Sequence, residues 1–132
     1  MTSKVVYLGE LRTVCEHLQS GSTIITDAPV DNEGKGEAFS PTDTVATALA
    51  SCMYTIMGIK ARDHDFDLKD TYAEVTKTLA SDPRRISKIE INFFLKEEYT
   101  DKERTILERA ARTCPVIYSL HPDIEKVITF SY

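Results

Sequence analysis

The spacing of hydrophobic and polar positions changes several times along the chain, and each change marks an element. Leu11, Thr13, Cys15 and His17 alternate with Arg12, Val14, Glu16 and Leu18, and Ser20-Gly21 then turns the chain into Ser22-Thr-Ile-Ile-Thr26. Residues 4 to 27 are therefore predicted to form a strand meander. Residues 27 to 37 are rich in Gly, Pro and Asp and read as a flexible surface loop. Ser40 as N-cap, Pro41 at the first helical position and Asp43 three residues after the cap predict a helix start with capping-box spacing. From Val45 to Ala61 the pattern is apolar nearly all round, with small residues at Ala46, Ala48, Ala50, Ser51 and Gly58, which predicts a buried rather than an amphipathic helix. Tyr72 to Leu79 and Ile86 to Lys96 alternate as two long antiparallel strands turned at Ser81-Asp82-Pro83, with Ile89, Ile91, Phe93 and Leu95 facing the core. Thr100 and Glu103 form a second capping box. It opens a helix that carries Ile106, Leu107, Ala110 and Cys114 on one face and ends or kinks at Pro115. After a short helical turn through Leu120, the alternation of Ile124, Lys126, Ile128, Phe130 and Tyr132 predicts a last strand.

Composition narrows the class. A chain of 132 residues that is 42% hydrophobic fits one domain, residues 1 to 132, with enough apolar material for a core that a long element could extend across a dimer. The formal charge is −5 and the longest basic run is Arg84-Arg85, which argues against nucleic acid as a partner. The N-terminus carries no apolar stretch of signal-peptide length, and no run approaches the roughly 18 to 20 apolar residues of a membrane span. The expectation is a soluble cytoplasmic protein without a membrane partner. Three cysteines with no C-x-x-C and no Cys/His cluster argue against a secreted disulfide scaffold and a structural zinc site. His17, His64 and His121 follow no ligand spacing, so neither a metal nor a cofactor is expected. Gly34-Lys35-Gly36 lacks the Ser/Thr of a phosphate-binding loop, and the nucleotide reading is discarded.

The candidate chemistry lies in Cys52, inside the apolar run, and Cys114, directly before Pro115-Val116. Both read as lying on buried helix faces. A thiol pair in apolar surroundings can cycle through a disulfide and act on apolar substrates without a cofactor. The two stand 62 residues apart, so only the tertiary fold could pair them. Free cysteines are also ordinary small hydrophobes, and spacing leaves both readings open. Cys15 alternates inward on a strand and reads as plain core.

Ser40-Pro41-Thr42-Asp43 before an Ala-rich helix to Ser51-Cys52-Met53, with a late Thr113-Cys114-Pro115-Val116, resembles the OsmC/Ohr family of osmotically inducible and organic-hydroperoxide-resistance proteins. The order of elements is similar across essentially the whole chain. The resemblance implies an α+β OsmC-like fold, with curved antiparallel sheets packed around a buried central helix that bears the cysteine, built as an intertwined homodimer. It implies that Cys52 attacks an organic hydroperoxide and becomes a sulfenic acid, that Cys114 resolves it as a disulfide, and that a dithiol, lipoyl-type or other, restores both thiols. It also calls for an activating arginine on an early strand, where Arg12 stands; Arg62, almost three turns past Cys52, is the alternative. Family peroxidases place a Glu immediately after the proline that opens the Cys helix, where it holds the arginine. This chain has Thr42 there, with Asp43 next, and the spacing from Ser40 makes Asp43 a helix cap ahead of an arginine partner. The alternative function is a non-peroxidase binding module for an apolar or thiol-reactive small molecule on the same scaffold.

Overall fold

The alternation at the N-terminus folds as β1 (Ser3–Gly9), β2 (Arg12–His17) and β3 (Thr23–Asp27), an antiparallel sheet in that order. Glu10 and Leu11 link the first two strands with φ of 53° and 63°. Two successive left-handed residues give the turn a twist that matches its flanking strands. The register sets Val5 opposite Cys15 and Cys15 opposite Ile24. These strands belong to the first of two units, Met1–Val45 and Ala46–Tyr132, into which the computed structural model of the whole chain, Met1–Tyr132, divides. Of the three strands only Thr26 and Asp27 are buried, while Val5, Tyr7 and Ile24 stay exposed. Cys15, expected as plain core, is half-buried because little within this unit covers its strand.

The segment after β3 is more tightly built than a flexible loop. Val30–Asn32 makes a single 3-10 turn, Gly34 N–H donates to the Pro29 carbonyl at 2.9 Å, and Gly36 N–H donates to that of Ala28 at 3.1 Å. A Cβ on Gly34 would lie 1.8 Å from the Ala28 oxygen, so this close approach requires glycine. Helix α1 (Pro41–Asp63) opens with the expected box: Ser40 N–H donates to Asp43 Oδ2 at 2.9 Å, and Asp43 N–H donates to Ser40 Oγ at 3.1 Å.

The second unit holds the remainder of α1 with β4 (Tyr72–Ala80), β5 (Arg85–Phe94), α2 (Asp101–Ala111), α3 (Pro115–Ser119) and β6 (Glu125–Ser131). Leu49, Met53 and Met57 from α1, Ile89, Ile91 and Phe93 from β5, and Leu107 from α2 are all fully buried in one core. Tyr54 meets Phe93 edge to face at 5.0 Å. The Thr100–Glu103 capping box opens α2 as expected.

Three expectations change. First, β4 and β5 pair antiparallel but β6 runs parallel to β5, with Ile91 opposite Ile128, so this sheet is mixed. The chain between β5 and β6 passes through two helices and crosses over, a connection that brings a strand back in the same direction, whereas a hairpin reverses it. Second, α1 is buried on one face only, since Val45, Ala48, Thr55 and Ile59 are exposed. Third, α1 is long and apolar enough to cross a membrane by length and composition, with a mean hydropathy of 1.2 over its best window. Its fully buried stripe on β5 is that of a helix packed into a protein core.

Candidate active site

Helix α1 carries Cys52 half-buried one residue before the fully buried Met53. Cys114 does not continue the apolar face of α2, which ends at Ala111. It is the N-cap of α3, with Pro115 at the first helical position and its sulfur accepting from Ile117 N–H at 3.4 Å. Pro115 therefore starts a new helix rather than kinking the old one. This leaves Cys114 fully buried at the end of the core.

The fold brings the two thiols close enough for Cys52 to act on the ionisation of Cys114. Burial pushes the Cys114 thiol up, the Ile117 N–H opposes that shift, and the contact with Cys52 raises it further. Cys114 is thus held as S–H beside the more accessible Cys52 sulfur. All three cysteines are free in this structure, so the pair stands in its reduced form. An unequal pair of this kind can perform two different steps: the accessible sulfur meets a substrate, and the buried S–H waits beside it.

Arg12, at the start of β2, is held by two carboxylates. Its Nη2 lies 3.1 Å from Asp27 Oδ2 and 3.2 Å from Glu37 Oε2. The Asp27 side chain is fully buried, and Glu37 N–H also donates to its Oδ2 at 3.0 Å. That amide and the Arg12 guanidinium hold the Asp27 carboxyl below its usual range, while the two carboxylates raise Arg12 further. Asp43 is engaged as the helix cap. Arg62 pairs only with its neighbour Asp63, at 3.9 Å, and its side chain is 79% exposed.

Asp27 and Glu37 are the residues that sequence reasoning missed. A signal for Asp27 existed: the meander register places it directly opposite Arg12, a cross-strand pair of opposite charge. Glu37 had no comparable signal, because it reaches Arg12 through the folded loop.

The model of the family described as OsmC-like protein matches residues 34–128. Among solved structures, a Psychrobacter arcticus protein described as a candidate osmotic stress induced and detoxification response protein is 58% identical, with TM-score 0.94 over 98% of this chain and 95% of that one. A Legionella pneumophila organic hydroperoxide resistance protein OsmC shares the fold at 15% identity, with TM-score 0.76 over 100% of this chain and 98% of that one. An organic hydroperoxide resistance protein from Elizabethkingia anophelis does so at 14% identity, with TM-score 0.75 over 99% and 96%. No curated protein matches the chain.

Proposed function

The chain belongs to the OsmC-like protein family, and we propose that within it the protein is a thiol-dependent reductase of organic hydroperoxides, working as a homodimer. The observation that carries this reading is the contact between a half-exposed Cys52 and a fully buried, protonated Cys114. The Cys52 thiolate attacks the outer oxygen of the hydroperoxide, the O–O bond breaks, and the alkoxide leaves as the alcohol after taking a proton. Cys52 is now a sulfenic acid. The Cys114 sulfur displaces its hydroxyl, which leaves as water with the Cys114 proton, and a disulfide remains. A dithiol supplies the two electrons and two protons that restore both thiols. One hydroperoxide thus becomes one alcohol and one water.

Arg12 is assigned the role of stabilising negative charge on sulfur and on the departing oxygen. Its double carboxylate support favours this, because a guanidinium fixed on two sides is already oriented when charge develops. The apolar surroundings of Cys52 favour alkyl over hydrogen peroxides, since an apolar substrate gains by leaving water. The exposed Val5, Tyr7 and Ile24 favour a second copy as the missing cover.

Reduced protein mixed with cumene hydroperoxide or hydrogen peroxide in stopped flow, with thiols counted afterwards, tests the cycle. Rapid, organic-selective loss of one Cys52 and one Cys114 thiol per hydroperoxide is expected. Cys52→Ser should react at no measurable rate, and Cys114→Ser should consume one equivalent and stall. Surviving thiols in the wild type would replace this reading with that of a binding module.

A further inference from the structure

The second unit contains a cavity of about 290 Å³ lined by Lys60, His64, Ile106, Arg109, Ala110 and Thr113, with neither thiol in its lining. Lys60 lies in the last turn of α1 and His64 just past its end, four residues on. Ile106, Arg109, Ala110 and Thr113 follow the spacing of a single stripe along α2 and just past its end. Every charged or titratable side chain on this lining is basic, although the chain as a whole carries −5. Neither Lys60 nor Arg109 makes an ion pair within the chain. Last-turn cations complement a helix dipole, which accounts for each taken singly. It does not account for their gathering around an apolar floor, made by half-buried Ile106 and buried Ala110.

The chemistry of such a lining selects its occupant. An apolar floor favours a hydrocarbon segment, and two unpaired cations favour an anionic head. Arg109 can grip a carboxylate through two parallel N–H donors and Lys60 through a point charge. His64 Nδ1 lies 2.8 Å from the Lys60 carbonyl and donates to it, so in the neutral ring only the acceptor nitrogen remains. The head group is therefore left to Lys60 and Arg109.

We propose that this cavity is a binding site for a carboxylate-headed amphiphile, with the chain on Ile106 and Ala110 and the carboxylate between Lys60 and Arg109. The site does not depend on the thiol chemistry and stands whether or not the protein turns over hydroperoxides.

Calorimetric titration of the reduced protein with decanoate, decanol and acetate tests it, with NMR mapping of the bound site. Decanoate should bind one per chain and perturb the resonances of Lys60, Ile106 and Arg109. Decanol and acetate should each bind at least about tenfold more weakly, as loss of the charged or the apolar half of the ligand requires. The double variant K60Q/R109Q, which changes only exposed side chains, should weaken decanoate to a similar extent at unchanged Tm. Decanoate that fails to bind, that perturbs other residues, or that binds the double variant equally would overturn the proposal. Equal affinity for decanol would overturn the anionic half, and equal affinity for acetate the amphiphilic half. Resonance changes that follow protein concentration instead of decanoate would assign the groove to a second copy and reject the ligand.

Discussion

Ile24 in the edge strand β3 and Phe93 in the central strand β5 are both apolar residues of alternating strands, yet Ile24 is 57% exposed and Phe93 fully buried. Alternation along a strand marks two faces; what lies over each face is decided elsewhere in the chain. In Ala46–Tyr132 the answer lies within the unit, because residues of α1 and α2 close over Ile89, Ile91 and Phe93. In Met1–Val45 the neighbouring residues Val5, Val6, Tyr7 and Leu8 are all exposed, so apolar side chains emerge on both faces of β1. A three-stranded sheet in that condition buries too little to hold itself together. The contrast separates a unit that closes its own core from one whose apolar surface lacks a cover within the chain, which the proposed homodimer would supply.

The sharpest way to break this contrast is to attack each side of it. Phe93 stacks on Phe130 at 5.3 Å and meets Tyr54 edge to face. Phe93→Ala should therefore cost about 3 to 5 kcal/mol in chemical denaturation, the usual range for emptying an aromatic core site. A loss under about 1 kcal/mol would mean that the closed unit is not closed. Ile24→Asp then tests the open one. On a free surface the change should stay within about 0.5 kcal/mol. Covered by a second copy, it buries an unpaired carboxylate, and the expected result is a loss of about 2 kcal/mol or more together with a monomer in light scattering. A dimer of unchanged stability would show that this strand face is free and that the contrast reflects nothing about assembly.

The same division explains what could be read in the sequence. Both capping boxes, the hairpin turned at Ser20-Gly21 and the long β4–β5 pair were legible because each is settled within a few residues of itself. The parallel course of β6 was not, since it depends on where two intervening helices deliver the chain. Burial of α1 was overread for a similar reason: small and apolar residues all round say that close packing is possible, not that it occurs within one subunit. The position of Cys114 was misread although its signal was present, because a proline directly after a candidate cap favours a helix start. The partners of Arg12 lie 15 and 25 residues away, and only Asp27 could be reached through strand register. Local rules thus found the scaffold and the thiols, while the charges around the arginine needed the fold.

Local signals should also carry small, independent energies, and Thr100→Ala measures one. Its hydroxyl accepts from Glu103 N–H at 3.1 Å, and the Glu103 carboxylate accepts from Thr100 N–H in return. Removing the hydroxyl should cost about 1 kcal/mol in denaturant titration. A cost nearer that of Phe93→Ala would show that the start of α2 is coupled to the core beneath it.

The smallest effect is expected at the boundary between local and tertiary signals, in the pair of Asp27 with Arg12. Asn at position 27 can still accept from Glu37 N–H, and Arg12 keeps Glu37, so what is lost is the attraction of a buried carboxylate for a guanidinium that is itself 31% exposed and retains a second partner. Its signature is the dependence on pH. The folded state holds the Asp27 carboxyl below its ordinary value near 4, so the unfolded chain takes up its proton first as the solution is acidified. The stabilisation is complete above that unfolded value and disappears as pH falls through the lower folded one. The Tm of wild type should therefore exceed that of Asp27→Asn by a constant margin from pH 8 to about pH 5, and the margin should close below about pH 4. A margin that persists unchanged into acid would mean that Asp27 contributes shape and hydrogen bonding alone, and the charge fixed beside Arg12 would then be Glu37's.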